Sequence, residues 1–171
     1  MSFRAKYIKF TQQASVAIPS GATSAIYTIP QAVVMANTLL FENGWNADSL
    51  SSFNIAGFRL IFLSTTTVQV DRGEDNQAYA MSCRFTITEF YGGLIRNLQR
   101  GTLTIPLGGF SNSVTLTRNA NYNYSLCHLG SVDDFDDKLS LSLSGTTLTV
   151  SDARGSAAFS GSDISYQYYE M

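Results

Sequence analysis

Short runs in which apolar and polar residues alternate with a period of two recur along the whole chain, bounded by Gly, Ser, Asn and Asp. Such alternation buries one face of a strand and leaves the other in water. The clearest runs are 15–18, 25–29, 38–42, 58–63, 66–71 and 84–90, followed by 102–105, 113–117, 124–129, 139–143, 146–150 and 164–169. In 139–143 the period is strict: Leu139, Leu141 and Leu143 share one face, Ser140 and Ser142 the other. Ser144-Gly145 then reverses the chain, so that Leu148 and Val150 return to the leucine face as a hairpin. Residues 31–37, with Ala32, Val33, Val34, Met35 and Ala36, are the only place for a short helix and suit an irregular crossing strand equally well. The pattern predicts an all-β protein.

The two series of runs match in order and spacing. Ser15-Val16-Ala17-Ile18-Pro19 aligns with Thr102-Leu103-Thr104-Ile105-Pro106, and Tyr27-Thr28-Ile29 then falls on Val114-Thr115-Leu116 at the same offset. Leu40-Phe41-Glu42-Asn43-Gly44 meets Leu126-Cys127-His128-Leu129-Gly130, and Thr66-Thr67-Val68-Gln69-Val70 meets Thr146-Thr147-Leu148-Thr149-Val150. Arg72-Gly73 and Arg154-Gly155 follow, and each copy ends in an aromatic strand with a glutamate, Glu89 or Glu170. The expected architecture is two tandem antiparallel β-sandwich or jelly-roll-like repeats, an N-terminal one over 1–91 and a C-terminal one over 92–171, hinged at Gly92-Gly93. They form either beads on a string or one pseudo-symmetric sandwich.

Composition narrows the function. Ser and Thr supply 37 of 171 residues while charged residues make up only 14%, so polarity comes from hydroxyls. With 11 basic against 13 acidic residues and three lysines, no cationic field is available for a phosphate backbone, which argues against nucleic-acid partners. The longest apolar stretch, 58–63, is interrupted by Arg59 and too short to span a bilayer, and residues 1–10 lack the apolar core of a signal peptide, so no membrane partner and synthesis in a cytoplasm are expected.

Candidate chemistry is sparse. Asp133-Asp134-Phe135-Asp136-Asp137 has carboxylates for a cation but lacks an EF-hand's glycine turn and distal glutamate, so it reads as a solvated loop or a charged subunit contact. The single histidine, His128, has no nucleophile and acid at a recognisable spacing, which predicts no enzymatic activity. Cys83 and Cys127 read as small buried hydrophobes, with a bridge between halves or subunits as the alternative. At the turns containing Arg72-Gly73 and Arg154-Gly155 the arginine is expected to pair with the neighbouring acid. The aromatic strand ends are more informative: with one face of each strand in the core, Phe90, Tyr91 and Tyr169 are left as candidate interface residues. No cofactor is expected.

The segment Leu98-Gln99-Arg100-Gly101-Thr102-Leu103-Thr104-Ile105, the strands at 111–116 and 145–150, Arg154-Gly155 and the closing aromatic-Glu strand together resemble small β-repeat virion structural proteins of tailed bacteriophages. The resemblance covers most of 98–171 and more loosely 13–91, where Gln13-Ala14-Ser15 departs from the opening Arg-Gly. It implies a non-enzymatic virion component, a capsid decoration, tail or fibre protein, made in the host cytoplasm, forming a homo-oligomer and contacting other virion proteins. It brings no catalytic residues with it. The alternative is a receptor- or glycan-binding module of a tail fibre.

Overall fold

The computed structural model describes residues 7–47, 58–72, 79–106, 108–117, 139–152 and 162–171. The chain is all-β. The strands are β1 (Ile8–Ile18), β2 (Ser24–Thr28), β3 (Thr38–Ala47), β4 (Arg59–Ser64), β5 (Thr67–Asp71), β6 (Met81–Phe90), β7 (Arg96–Ile105), β8 (Ser111–Thr115), β9 (Leu139–Ser144), β10 (Thr147–Asp152) and β11 (Ser162–Glu170). Within 31–37 the chain makes only a single 3-10 turn, Met35–Asn37. The run at 124–129 lies outside the described residues. Both β1 and β7 begin well before the runs read from the sequence, at Ile8 and Arg96, where β6 and β11 pair with their first halves.

Four antiparallel sheets result, with strand orders β1-β6-β3, β2-β5-β4, β11-β7 and β8-β10-β9. The first two share a core containing Ile18, Leu40, Val68, Val70, Phe85 and Ile87. Tyr27 meets Phe85 there edge to face, centroids 5.5 Å apart. The other two share a second core containing Leu103, Ile105, Leu148, Val150, Ile164 and Tyr168.

Among the described residues the two halves match in register and in the pairing of their strands, except that β3 has no described counterpart. Ala14 pairs with Phe85 as its aligned counterpart Gly101 pairs with Tyr166, and Gln12 with Ile87 as Gln99 with Tyr168. Tyr27 lies opposite Val68 as Val114 lies opposite Leu148, and Leu60 opposite Val70 as Leu141 opposite Val150. Beyond the strands, Ile29 N–H donates to Thr66 O and Leu116 N–H to Thr146 O, both at 2.7 Å.

Local geometry explains where the ladders bend. Between Glu42 and Gly44 the β3–β6 register slips, and Gly44 takes φ +115°, a conformation open to glycine in a bulge. The hairpin between β9 and β10 turns through Gly145 at φ +57°, whereas Thr65-Thr66 between β4 and β5 keeps negative φ and the register slips at Leu63 instead.

The joint between halves is a packed turn. Leu94 N–H donates to Tyr91 O at 3.3 Å, and Ile95 is buried with Leu39, Phe90 and Tyr169 in a third apolar cluster. This cluster draws on both halves, so Gly92-Gly93 is anchored on its C-terminal side instead of swinging freely.

Candidate functional site

The seam between halves follows from the parity of β11. Ile164, Tyr166 and Tyr168 fill the second core, which turns Ser165, Gln167 and Tyr169 to the opposite face of the strand. That face is buried too: every residue from Ile164 to Glu170 is covered. It packs against the first half, where β3 is an outer strand whose backbone needs partners. Gln167 supplies them. Its Oε1 accepts from Leu40 N–H at 3.1 Å and its Nε2 donates to Leu40 O at 2.8 Å, as one more strand residue would.

Arg100, on β7 beside Gln167, reaches the same seam. Its Nη2 donates to Met35 O at 3.0 Å and to Thr38 O, and its Nε reaches Gln167 Oε1 at 3.4 Å. The guanidinium also stands 4.9 Å from the centroid of the Phe62 ring. Burial pushes the Arg100 guanidinium down to about 10, since desolvation disfavours its charge. No carboxylate pairs with it among the described residues. Between β4, the 35–37 turn and the outer face of β7 and β11 lies a cavity of about 320 Å3, reached by Leu60, Phe62, Arg100, Ser165 and Tyr166.

A different surface is formed by β8, β10 and β9. Cross-strand partners place Thr115, Thr147 and Ser144 in one row, Ser113, Thr149 and Ser142 in the next, and Ser111, Ser151 and Ser140 in a third. All nine positions carry a hydroxyl, on the face opposite the apolar Val114, Leu141, Leu143, Leu148 and Val150. Ser140 and Ser151 hydroxyls bond at 2.8 Å. Strand spacing sets the rows at about 4.8 Å across and about 7 Å along. The fold does not demand this lattice, because the equivalent rows in the first half are Ser24–Asp71–Arg59, Ile26–Gln69–Ile61 and Thr28–Thr67–Ser64. There Arg59 and Asp71 form an ion pair at 2.9 Å. The outer strands β8 and β9 carry no charged residue, and Phe110, immediately before β8, is 55% exposed.

The three aromatic residues singled out by the sequence separate. Phe90 and Tyr169 are each only 9% exposed, covered by each other's half in the apolar cluster at the seam, so the chain itself already occupies the surface they offer. Tyr91 alone projects, at 51% exposure. Alternation identified the face opposite the core correctly but could not show that a second face of β11 is buried. The signal was present: Tyr166, Tyr168 and Tyr169 occupy both parities, as a strand covered on both sides does.

Cys83 is fully buried, its thiol pushed up to about 12, mainly by desolvation and further by Glu42. Arg72 departs from its expected pairing with Asp71. It is buried and donates instead to the carbonyls of Ala22 at 2.7 Å, Pro19 at 3.1 Å and Tyr79, while Asp71 is held by Arg59 and by Gln69 Nε2 at 2.6 Å. Asp71 is already occupied by Arg59 and Gln69, and three loop carbonyls satisfy the Arg72 guanidinium in its place. Cys127, His128 and Asp133 to Asp137 lie outside the described residues. Among the described residues no group of three or more His, Cys, Asp or Glu side chains is placed to hold a metal ion, and no helix is long and apolar enough to cross a membrane.

No family model, curated protein or solved structure matches the chain.

Proposed function

We propose that the protein is a non-enzymatic structural component that works by packing against copies of itself and against other proteins, built as two tandem units over 1–91 and 92–171. The observation that carries this reading is the uncharged hydroxyl face of β8-β10-β9, bordered by outer strands without a single charge and by exposed Phe110. Proteins that stay monomeric protect such edges with lysine, proline or inward charges. Here lysine occurs only at 6, 9 and 138, and Lys9 is engaged by Glu89 at 2.7 Å. A flat face of short hydroxyls loses little side-chain entropy on contact and leaves no buried charge behind.

The setting we propose, a tailed-bacteriophage virion with the protein as capsid decoration or tail or fibre subunit, rests on the motif resemblance of 98–171. The rival reading, a receptor- or glycan-binding fibre tip, is supported less well. Sugar recognition favours stacked aromatics beside carboxylates at a loop end, and the seam cavity, though it includes Phe62 and Tyr166, has no carboxylate among its described lining residues. Mass spectrometry of purified particles from a host carrying the gene tests the setting. We expect the protein in fixed stoichiometry with the major virion proteins; its absence from particles would overturn the virion reading while leaving the assembly reading to be judged by self-association.

A further inference from the structure

The seam cavity has two ends of different chemistry. Met35, Leu60 and Phe62 make one wall apolar, and Arg100 and Ser165 supply the polar end. The ligand's charge follows from that end. Arg100 is mostly buried and spends Nε and Nη2 on Gln167 Oε1 and on the carbonyls of Met35 and Thr38, so Nη1 has no acceptor among the described residues. Ser165 Oγ, on the adjacent strand, is buried and likewise has no hydrogen-bond partner among the described residues. A buried hydroxyl is rarely left so, and an orphaned hydroxyl lining the same cavity as an unneutralised guanidinium marks a place where an acceptor belongs. An anion gains most there, because a partly enclosed cavity strengthens its attraction to the guanidinium relative to open water.

One guanidinium and one hydroxyl match a single carboxylate. A phosphate dianion needs more positive charge than this cavity presents. The volume of about 320 Å3 holds roughly ten non-hydrogen atoms at ~30 Å3 each, the size of a medium-chain fatty acid.

We infer that the seam cavity binds a small monocarboxylate with an aliphatic body, its carboxylate on Arg100 and Ser165 and its chain along Met35, Leu60 and Phe62. Because β4 belongs to the first half and β7 and β11 to the second, the bound ligand clamps the two together and stabilises the folded chain by linkage. The site is independent of the assembly face.

The test is titration calorimetry and thermal denaturation of the full chain with octanoate, with its neutral isostere octanamide, and with a series of carboxylates from butyrate to dodecanoate. Octanoate is expected to bind one-to-one and to raise the Tm, with octanamide at least tenfold weaker and affinity peaking near eight carbons. Arg100→Gln should weaken octanoate at least tenfold, and Ser165→Ala, a small change that keeps the packing, a few-fold. Should Arg100→Gln unfold by circular dichroism, the octanoate-to-octanamide ratio on the native chain and the Ser165→Ala result decide. Equal binding of octanoate and octanamide, or no saturable heat from any member of the series, would overturn the site.

Discussion

A Cβ added at Gly101 would sit 2.7 Å from the Tyr166 hydroxyl and 2.8 Å from its ring, because the tyrosine leans across its cross-strand partner. The glycine is therefore set by a close approach of side chain to backbone, since its own φ is unremarkable. Gly101→Ala must displace a ring that is itself part of the second core, and we expect a loss of about 1–3 kcal/mol in urea denaturation. At Cys83 the constraint is electrostatic. Its folded-state pKa of about 12 lies above the ordinary thiol value of about 9, so the neutral thiol contributes stability that is full below about 9 and is lost as pH rises through about 12. A thiol reagent at pH 8, with sites read by mass spectrometry, should label Cys83 only after unfolding. In addition, Cys83→Ala should flatten the decline of stability between pH 9 and 12. Arg72 gives a third residue-scale lesson, for its neighbour in sequence is an acid, yet its hydrogen bonds go to three loop carbonyls.

At the scale of strands, alternation located every described element, and the Ser144-Gly145 hairpin forms with Leu148 opposite Leu143 and Val150 opposite Leu141, as the strict period requires. The runs stopped short of the first half of β1, where Ile8-Lys9-Phe10-Thr11 does alternate, and of the first half of β7, which lacks alternation and is strand because β11 lies alongside. Alternation could not reveal the seam, where side chains substitute for strand residues. Gln99-Arg100-Gly101 stood out only as a motif; the roles of Arg100 and Gln167 depend on backbone groups more than 60 residues away. Gln167→Leu keeps the volume but leaves Leu40 N–H and C=O unpaired in a buried place. A cost of about 1–3 kcal/mol is expected, of which Gln167→Glu should recover only part, since its carboxylate can accept from Leu40 N–H and faces Arg100 Nε but no longer donates to Leu40 O. Equal stability of Gln167→Leu and the native chain would contradict this role.

For the whole molecule, the apolar cluster of Leu39, Phe90, Ile95 and Tyr169 and the hydrogen bonds of Arg100 and Gln167 couple the halves. Thermal unfolding should accordingly run as one transition, and Tyr169→Ala should separate it into two or lower it as a whole. The hydroxyl lattice matters at this scale because it lies in the second half alone, on the β8-β10-β9 sheet, while β11 holds that half to the first. The proposed assembly depends on that face being where copies meet. Sedimentation velocity across a range of concentrations, on the native chain and on Ser113→Lys/Ser142→Lys, tests it most directly. Concentration-dependent association of the native chain, abolished by the two lysines at unchanged Tm, is the result expected. A native chain that sediments as a monomer throughout, or a lysine variant that associates as strongly, would contradict it.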